Sequence, residues 1–460
     1  MTDFQESGLG AVRNPVSPVR VLVISHDVVG AQMAGPGIRY THLARVLAQE
    51  FQVTLAVPGE CTLPSLPGFG VFSYGSAQDP AIEKAIRQAG VVVAPAVWVA
   101  SVPSLLRSSV PLVVDGYDPY LAETLFLNQN QVSHLQHALG QAYLAGDFFI
   151  CASERQRDWW LGLLEAHGRI NVHTFEQDAS MRCLIDVVPF GMPEGRPRPC
   201  RPVFKEKWPF IRARDRVVLW GGGLWPWLDP LTAVRAVAQV WSERRDVRLV
   251  FPGTHHPNPD MSRASTWVEA ARELAGELGL VDQAVFFGDW VPYSDWPGVL
   301  LESDVALSLH FDTLETRLAF RTRILDYIWA GLPMVVTRGD EMSGLVKENE
   351  LGVVVDYQDP HAVAEAILKL LELPKESFRE RFERVRQGLT WEEAARPLIE
   401  FCRHPRRAPD KVALGPGKGD VLLPSEVARL RELVAGYERG RFIRFTRCLH
   451  RWRRKIWKGS

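Results

Sequence analysis

The stretch Glu315–Thr337, ETRLAFRTRILDYIWAGLPMVVT, decides how the rest of the chain is read. Its second half predicts a short helix feeding a buried strand. Thr322 suits a helix start, Gly331 suits the left-handed turn that ends helices, and Pro333 blocks continuation. Met334-Val335-Val336-Thr337 then reads as a strand. Arg321 and Arg323 sit at the start of this helix, where the macrodipole disfavours cations. A bound anion, held by free backbone N–H groups and two guanidinium forks, accounts for that placement. Asp326 follows Arg323 by one helical turn. An anion site beside a carboxylate, just before a parallel strand, suits a sugar carried on a diphosphate. The plainer alternative is a solvated helix end with two salt-bridged arginines.

The segment resembles the donor-binding signature of retaining glycosyltransferases of family four, of the bacterial cell-surface glycan type. In that signature a glutamate, seven residues and a second glutamate precede a small-residue helix ending in Gly-x-Pro. Asp326 matches the second acid, Phe320 an aromatic between the two acids, and Trp329-Ala330-Gly331-Leu332-Pro333 the ending. Leu318 stands at the first acidic position, with Glu315 the nearest substitute. The resemblance implies the GT-B fold: two Rossmann-like, doubly wound parallel-sheet domains facing a cleft. It implies Glu315 and Asp326 as catalytic carboxylates and a nucleotide-diphosphate sugar as donor substrate, with no cofactor.

Upstream, Val21–Ser25 is an apolar run of the kind buried in a parallel sheet. His26 ends it as a candidate acceptor-orienting or proton-handling group. A glycine-rich loop to Gly37 leads into the helical pattern RYTHLARVLAQE. The spacing is not Gly-x-Gly-x-x-Gly, which weakens a dinucleotide reading. GPGIRYTHLARVLA resembles the opening loop of the same family, placing Gly35, Gly37 and Arg39 near acceptor or donor phosphates. Strand patterns at 53–58, 91–95, 111–115 and 147–153 continue a doubly wound sheet. Ligands of such sheets bind beyond the strand C-termini. Asp115 and Asp118 fall there, and Asp118 is taken as a catalytic candidate. Asp115-Gly-Tyr-Asp118 lacks Asp-x-Asp spacing, so no metal is expected.

A second strand–helix series opens at Val217. Gly221-Gly222-Gly223 follows, allowing close backbone approach to a diphosphate. Asp229 and Pro230 suit the start of the next helix. His255, on the loop after strand 247–251, is a candidate hydrogen-bonding group for donor sugar or phosphate. By resemblance Asp289, Trp290 and Val291 lie near the nucleotide base. These readings give the following division: 1–18 disordered, 19–195 an acceptor-side domain, 196–214 a linker and 215–385 a donor-binding domain. Residues 386–404 form a helix crossing back, 405–438 a linker and helix, and 439–460 a basic helical tail.

Composition describes an ordinary globular chain, with 46% hydrophobic and 23% charged residues over 460. The net charge of −1 hides an asymmetry: nine Lys or Arg and no acid follow Glu438, leaving 44 basic against 54 acidic residues before them. Phe442, Phe445, Leu449, Trp452 and Ile456 recur at helical spacing within that basic tail. Such a helix suits an anionic membrane surface. Nucleic acid is disfavoured, because the body is acidic and has no reading motif. Six scattered cysteines suit a reducing compartment. The expected protein is a cytoplasmic glycosyltransferase on the inner face of the membrane, acting on a glycan or polyprenyl-linked acceptor. The alternatives are an epimerase or hydrolase on the same fold, or a sugar-nucleotide-binding protein that has lost catalysis.

Overall fold

The computed structural model describes residues 18–61, 68–198, 201–205, 208, 210–258 and 266–414. Apolar runs dominated by Val, Ile, Leu and Phe form two parallel sheets. The first holds β1 (Arg20–Ile24), β2 (Gln52–Pro58), β3 (Gly70–Tyr74), β4 (Val91–Pro95), β5 (Leu112–Asp115), β6 (Phe148–Cys151) and β7 (Ile185–Val187), in the order β3-β2-β1-β4-β5-β6-β7. The second holds β8 (Arg216–Trp220), β9 (Val247–Phe251), β10 (Val285–Phe287), β11 (Val305–Ser308), β12 (Met334–Thr337) and β13 (Gly352–Val355), in the order β10-β9-β8-β11-β12-β13. β4 and β9 are buried at every residue, as strands covered by helices on both faces must be. In each sheet the order reverses beside the first strand, between β1 and β4 and between β8 and β11. Those reversals open crevices at the strand C-termini, and the two crevices face each other.

Helix boundaries follow local chemistry. Asp229 accepts from the Thr232 N–H at 3.0 Å and caps the helix Pro230–Glu243. Gly331, at φ 65°, ends the helix Thr322–Ala330 in the left-handed turn. That helix begins at Thr322, so Arg321 takes the cap position, and no side chain caps it. Gly35 to Gly37, expected as loop, are the first residues of the helix Gly35–Leu47, with Pro36 near its start. Edge strand β3 escapes sequence reading because its GVFSY is mostly exposed and carries no apolar run.

The described parts of two expected linkers, within 196–214 and over 405–414, are packed against the domains, and 415–438 lies outside the described residues. In 196–214, Val203, Phe204 and Ile211 are buried, and the Glu302 carboxylate accepts from the N–H groups of Val203, Phe204 and Lys205. After Trp391–Ala394 and Arg396–Arg403, the chain lies against the first domain. Trp391 stacks on His42 at 4.9 Å and Phe401 on Phe148 at 4.8 Å. The segment beyond Arg403 continues as a strap ending in the helix Pro409–Leu414. Asp410 forms a buried pair with Arg169 at 2.6 Å, and Arg407 and Lys411 both reach Asp147. The sequence had only proline and charge density to offer there, and those do not reveal buried partners. The basic tail 439–460 lies outside the described residues.

Candidate active site

A cleft of about 510 Å³ lies between the C-terminal ends of the two sheets. The first domain contributes the segment after β1 and the segment after β5. His26, Asp27, Met33 and Gly35 line it from the former; Tyr117, Asp118, Tyr120 and Glu123 from the latter. The second domain contributes Gly221-Gly222-Gly223 after β8, His256 after β9, Trp290 and Val291 after β10, and Glu315 to Asp326 between β11 and β12. Cross-domain bonds hold the walls in register. Tyr293 N–H donates to the Ala31 carbonyl at 2.8 Å, and the Asn258 amide donates to Asp27 at 2.8 Å.

The two arginines at the helix start have different partners. Arg321 forks onto Glu315, with N–O distances of 2.8 and 2.7 Å, and its Nε lies 3.6 Å from Asp340. Its charge is thus committed to a buried carboxylate, and its expected role as a direct phosphate holder is corrected to one of fixing Glu315. Among the described residues Arg323 forms no ion pair with a carboxylate. One Nη donates to the Gly223 carbonyl at 3.2 Å and the guanidinium lies over Trp220 at 5.3 Å, while the other Nη is buried without a hydrogen-bond partner. Burial lowers its pKa to about 10, which leaves it charged near neutrality. Gly222 holds φ 94°, a conformation that keeps the glycine turn open beside Arg323. Gly221 N–H donates to the Tyr327 hydroxyl, which itself donates to the Leu307 carbonyl. This turn, an uncapped helix start and the free Nη of Arg323 make a candidate anion site.

Asp118 and Glu123 lie on the opposite wall, while Asp326 lies on the same helix as Arg323. Burial raises Asp118 to about 7, with Asp115 adding to the rise. Glu123 is raised well above the ordinary carboxylate range by burial, then by Asp118 and Glu315. Asp326 is also raised to about 7 by burial, although it accepts from Trp296 Nε1 at 2.9 Å and lies near Arg323. Burial lowers His26, keeping its imidazole neutral, and its Nδ1 has no partner. A group poised near 7 can take a proton at neutral pH.

Several expected residues lie elsewhere. Arg39 is fully buried, paired with Asp115 at 2.6 and 2.9 Å and donating to the Val188 and Pro189 carbonyls. It joins the first helix to β5 and the exit of β7, out of reach of any phosphate. Gly37 does not line the cleft; a Cβ there would meet the Val28 carbonyl at 2.2 Å, so its role is close packing. Gly35 lines the cleft, but an added Cβ would meet nothing within 4 Å. His255 and Asp289 pair with each other at 2.9 Å on the surface, both well exposed. The neighbouring His256 is the cleft histidine, between Trp225 and Trp290 at 5.4 and 5.2 Å. Tyr120, Glu123 and Asp27 were not singled out from sequence. Glu123 and Tyr120 belong to the short helix Tyr120–Leu127, whose placement depends on tertiary packing.

Comparison with known proteins agrees with this geometry. The family described as "Glycosyl transferases group 1" matches residues 215–373. That stretch contains the glycine turn, Arg323 and Asp326. A D-inositol 3-phosphate glycosyltransferase from Acidothermus cellulolyticus is 34% identical over 156 residues, covering 34% of this chain and 33% of the relative. One of the same description from Corynebacterium glutamicum is 27% identical over 187 residues, covering 40% of this chain and 42% of the relative. The chain thus matches between a third and two-fifths of the length of these curated relatives. Among solved structures, sucrose-phosphate synthase from Thermosynechococcus elongatus superposes with a TM-score of 0.59 at 15% identity, over 84% of this chain and 98% of its own. The Anabaena protein HepE, solved with UDP and glucose, gives 0.58 at 15% identity, over 84% and 99%. The matched stretch and its partner sheet together make a GT-B fold.

Proposed function

We propose that the protein transfers a sugar from a nucleotide-diphosphate donor to a hydroxyl of a glycan or lipid-linked glycan. The observation that carries this is the division of the cleft. A guanidinium that pairs with no described carboxylate and a glycine turn face a wall bearing Asp118. The donor diphosphate lies against Arg323 and Gly221-Gly222-Gly223, with the base toward Trp290 and Val291. The acceptor hydroxyl lies at Asp118. Its oxygen bonds to the anomeric carbon on the same face that the diphosphate leaves, as the carbon–phosphate oxygen bond breaks, so configuration is kept and the diphosphate departs with the electron pair. Asp118 takes the acceptor proton. Negative charge growing on the leaving group is met by Arg323 and backbone N–H groups, so rate rests on positioning and charge stabilisation. Glu315, held by Arg321, stands for the first acid of the family signature, and the resemblance implies retention at the anomeric carbon.

The tail 439–460 is read as a membrane-surface helix, which suits a lipid-linked acceptor, polysaccharide synthesis and a place on the cytoplasmic face. No described helix is long and apolar enough to cross a membrane. The reaction is tested by incubating a panel of UDP-, GDP- and dTDP-sugars with lipid-linked glycan extracts, with and without EDTA. Release of nucleoside diphosphate and a glycosylated product, undiminished by EDTA, is expected. Release without acceptor, or epimerised donor, would favour a hydrolase or epimerase instead. Co-sedimentation with anionic liposomes should be lost when the chain ends at Glu438.

A further inference from the structure

Next to Asp118 and beside the cleft lies a second, smaller chamber of about 240 Å³. Asp118, Pro119 and Tyr120 line both spaces, so the chamber borders the position given to the acceptor hydroxyl. Its walls come from both domains. Tyr143, Trp159 and Trp160 belong to the first-domain helices Val132–Ala145 and Glu154–Ala166, and Leu314 and Leu318 to the second-domain helix Leu314–Leu318. Gln156 closes the seam by donating to the carbonyls of Tyr117 and Leu318 at 2.7 and 2.9 Å. Trp160 is locked by its Nε1 bond to the Gly116 carbonyl and by an edge contact with Tyr143 at 5.1 Å.

Two features indicate an occupant. Tyr120 lines both spaces, is 9% exposed, and its buried hydroxyl has no hydrogen-bond partner among the described residues. An unpaired buried hydroxyl is destabilising, and a polar group seated beside it would recover that cost. At the mouth, Trp159 and Leu314 are 39% and 44% exposed, leaving apolar surface uncovered where the chamber meets solvent. A cavity of about 150 Å³ lined by apolar side chains accommodates benzene. The chamber therefore has room for one ring with a short substituent.

We propose that this chamber is an acceptor subsite for a compact apolar group, one ring in size, attached close to the accepting hydroxyl. The inference rests on the acceptor hydroxyl lying at Asp118. The ring sits between Trp159, Trp160 and Leu318, and the atom joining it to the hydroxyl-bearing part passes the Tyr120 hydroxyl. Acceptors bearing such a group are distinguished from plain glycans by the chamber, while the donor is chosen elsewhere.

The test compares phenyl β-glucoside with methyl β-glucoside, which differ only in the ring. Binding is measured by calorimetry and by saturation-transfer NMR on the full chain, with no nucleotide present. The phenyl compound should bind about tenfold or more tightly, with saturation strongest on its ring protons. Leu314→Trp, at an exposed position, should fill the mouth and abolish that advantage without altering the melting temperature. Trp159→Ala should weaken it. Equal binding of the two glucosides, or an advantage that persists in Leu314→Trp, would overturn the chamber assignment. UDP and GDP titrated into the same samples report on the donor site separately. A chamber that discriminates in a protein that binds neither nucleotide would leave the subsite standing and remove the transferase reading.

Discussion

The two sheet ends that form the cleft are built alike but present different charged groups to it. After β1 and after β8 the chain runs through a turn into a helix with proline near its first position. Both turns lie where the strand order reverses. In the first domain the cation nearest that turn, Arg39, is consumed by Asp115 within the core. What faces the cleft from that side is Asp27, Asp118 and Glu123. In the second domain the carboxylate Glu315 is consumed by Arg321, and Arg323 remains without an acidic partner among the described residues. Matching topology thus yields one wall whose cleft-facing acids can accept a proton and another in which Arg323, one helical turn from Asp326, can meet a leaving diphosphate. Which residue is neutralised inside each wall decides which chemistry remains outside.

This contrast can be broken at each wall. The largest effect is expected from Asp118→Asn, which keeps shape and removes the base. Turnover should fall by about 10²–10⁴-fold with donor affinity intact, the usual contribution of a positioned general base. Steady-state rates together with donor calorimetry would read the split, and unchanged turnover would take the proton acceptor away from that wall. Arg321→Ala should act mainly on stability. It leaves Glu315 as a buried unpaired charge, costing about 3–5 kcal/mol by chemical denaturation. Arg323→Ala should do the reverse, weakening nucleoside-diphosphate binding by about 1.5–3 kcal/mol with little change in folding. Equal losses of affinity in both arginine variants would erase the distinction between them.

The smallest effect expected is a pH dependence. Asp118 and Asp326 have pKa values of about 7, so both are largely neutral below that and anionic above it. Raising the pH from 6 to 8 adds negative charge to the cleft. UDP-sugar affinity should therefore fall a few-fold, on the order of 1 kcal/mol at an effective dielectric of about 20. Asp326→Asn should flatten the slope, and an affinity that rises with pH would contradict the placement of these groups.

Much of the fold was legible because buried parallel strands leave continuous apolar runs and helix ends leave caps. Gly331, Pro333 and Asp229 each announce an end or a start through local stereochemistry. Glycine, arginine and carboxylate near strand ends were legible as site material for the same reason. Their assignment was not, because it depends on pairing across long separations. Arg39 and Asp115 are 76 residues apart, and neither the spacing nor the composition shows that they meet. His255 and His256 are adjacent in sequence, yet only the second faces the cleft. The strap after Arg403 reads as a linker until its partners, Asp147 and Arg169 on the first domain, are brought against it.

The division of the cleft is tested most directly by a crystal structure of the protein with a bound nucleoside diphosphate. The diphosphate should lie against Gly221-Gly222-Gly223, accepting from the Arg323 guanidinium, with Arg321 still forked onto Glu315 and the base beside Trp290. A diphosphate seated among Asp27, Asp118 and Glu123, or one that draws Arg321 off Glu315 while Arg323 stays unengaged, would contradict the account.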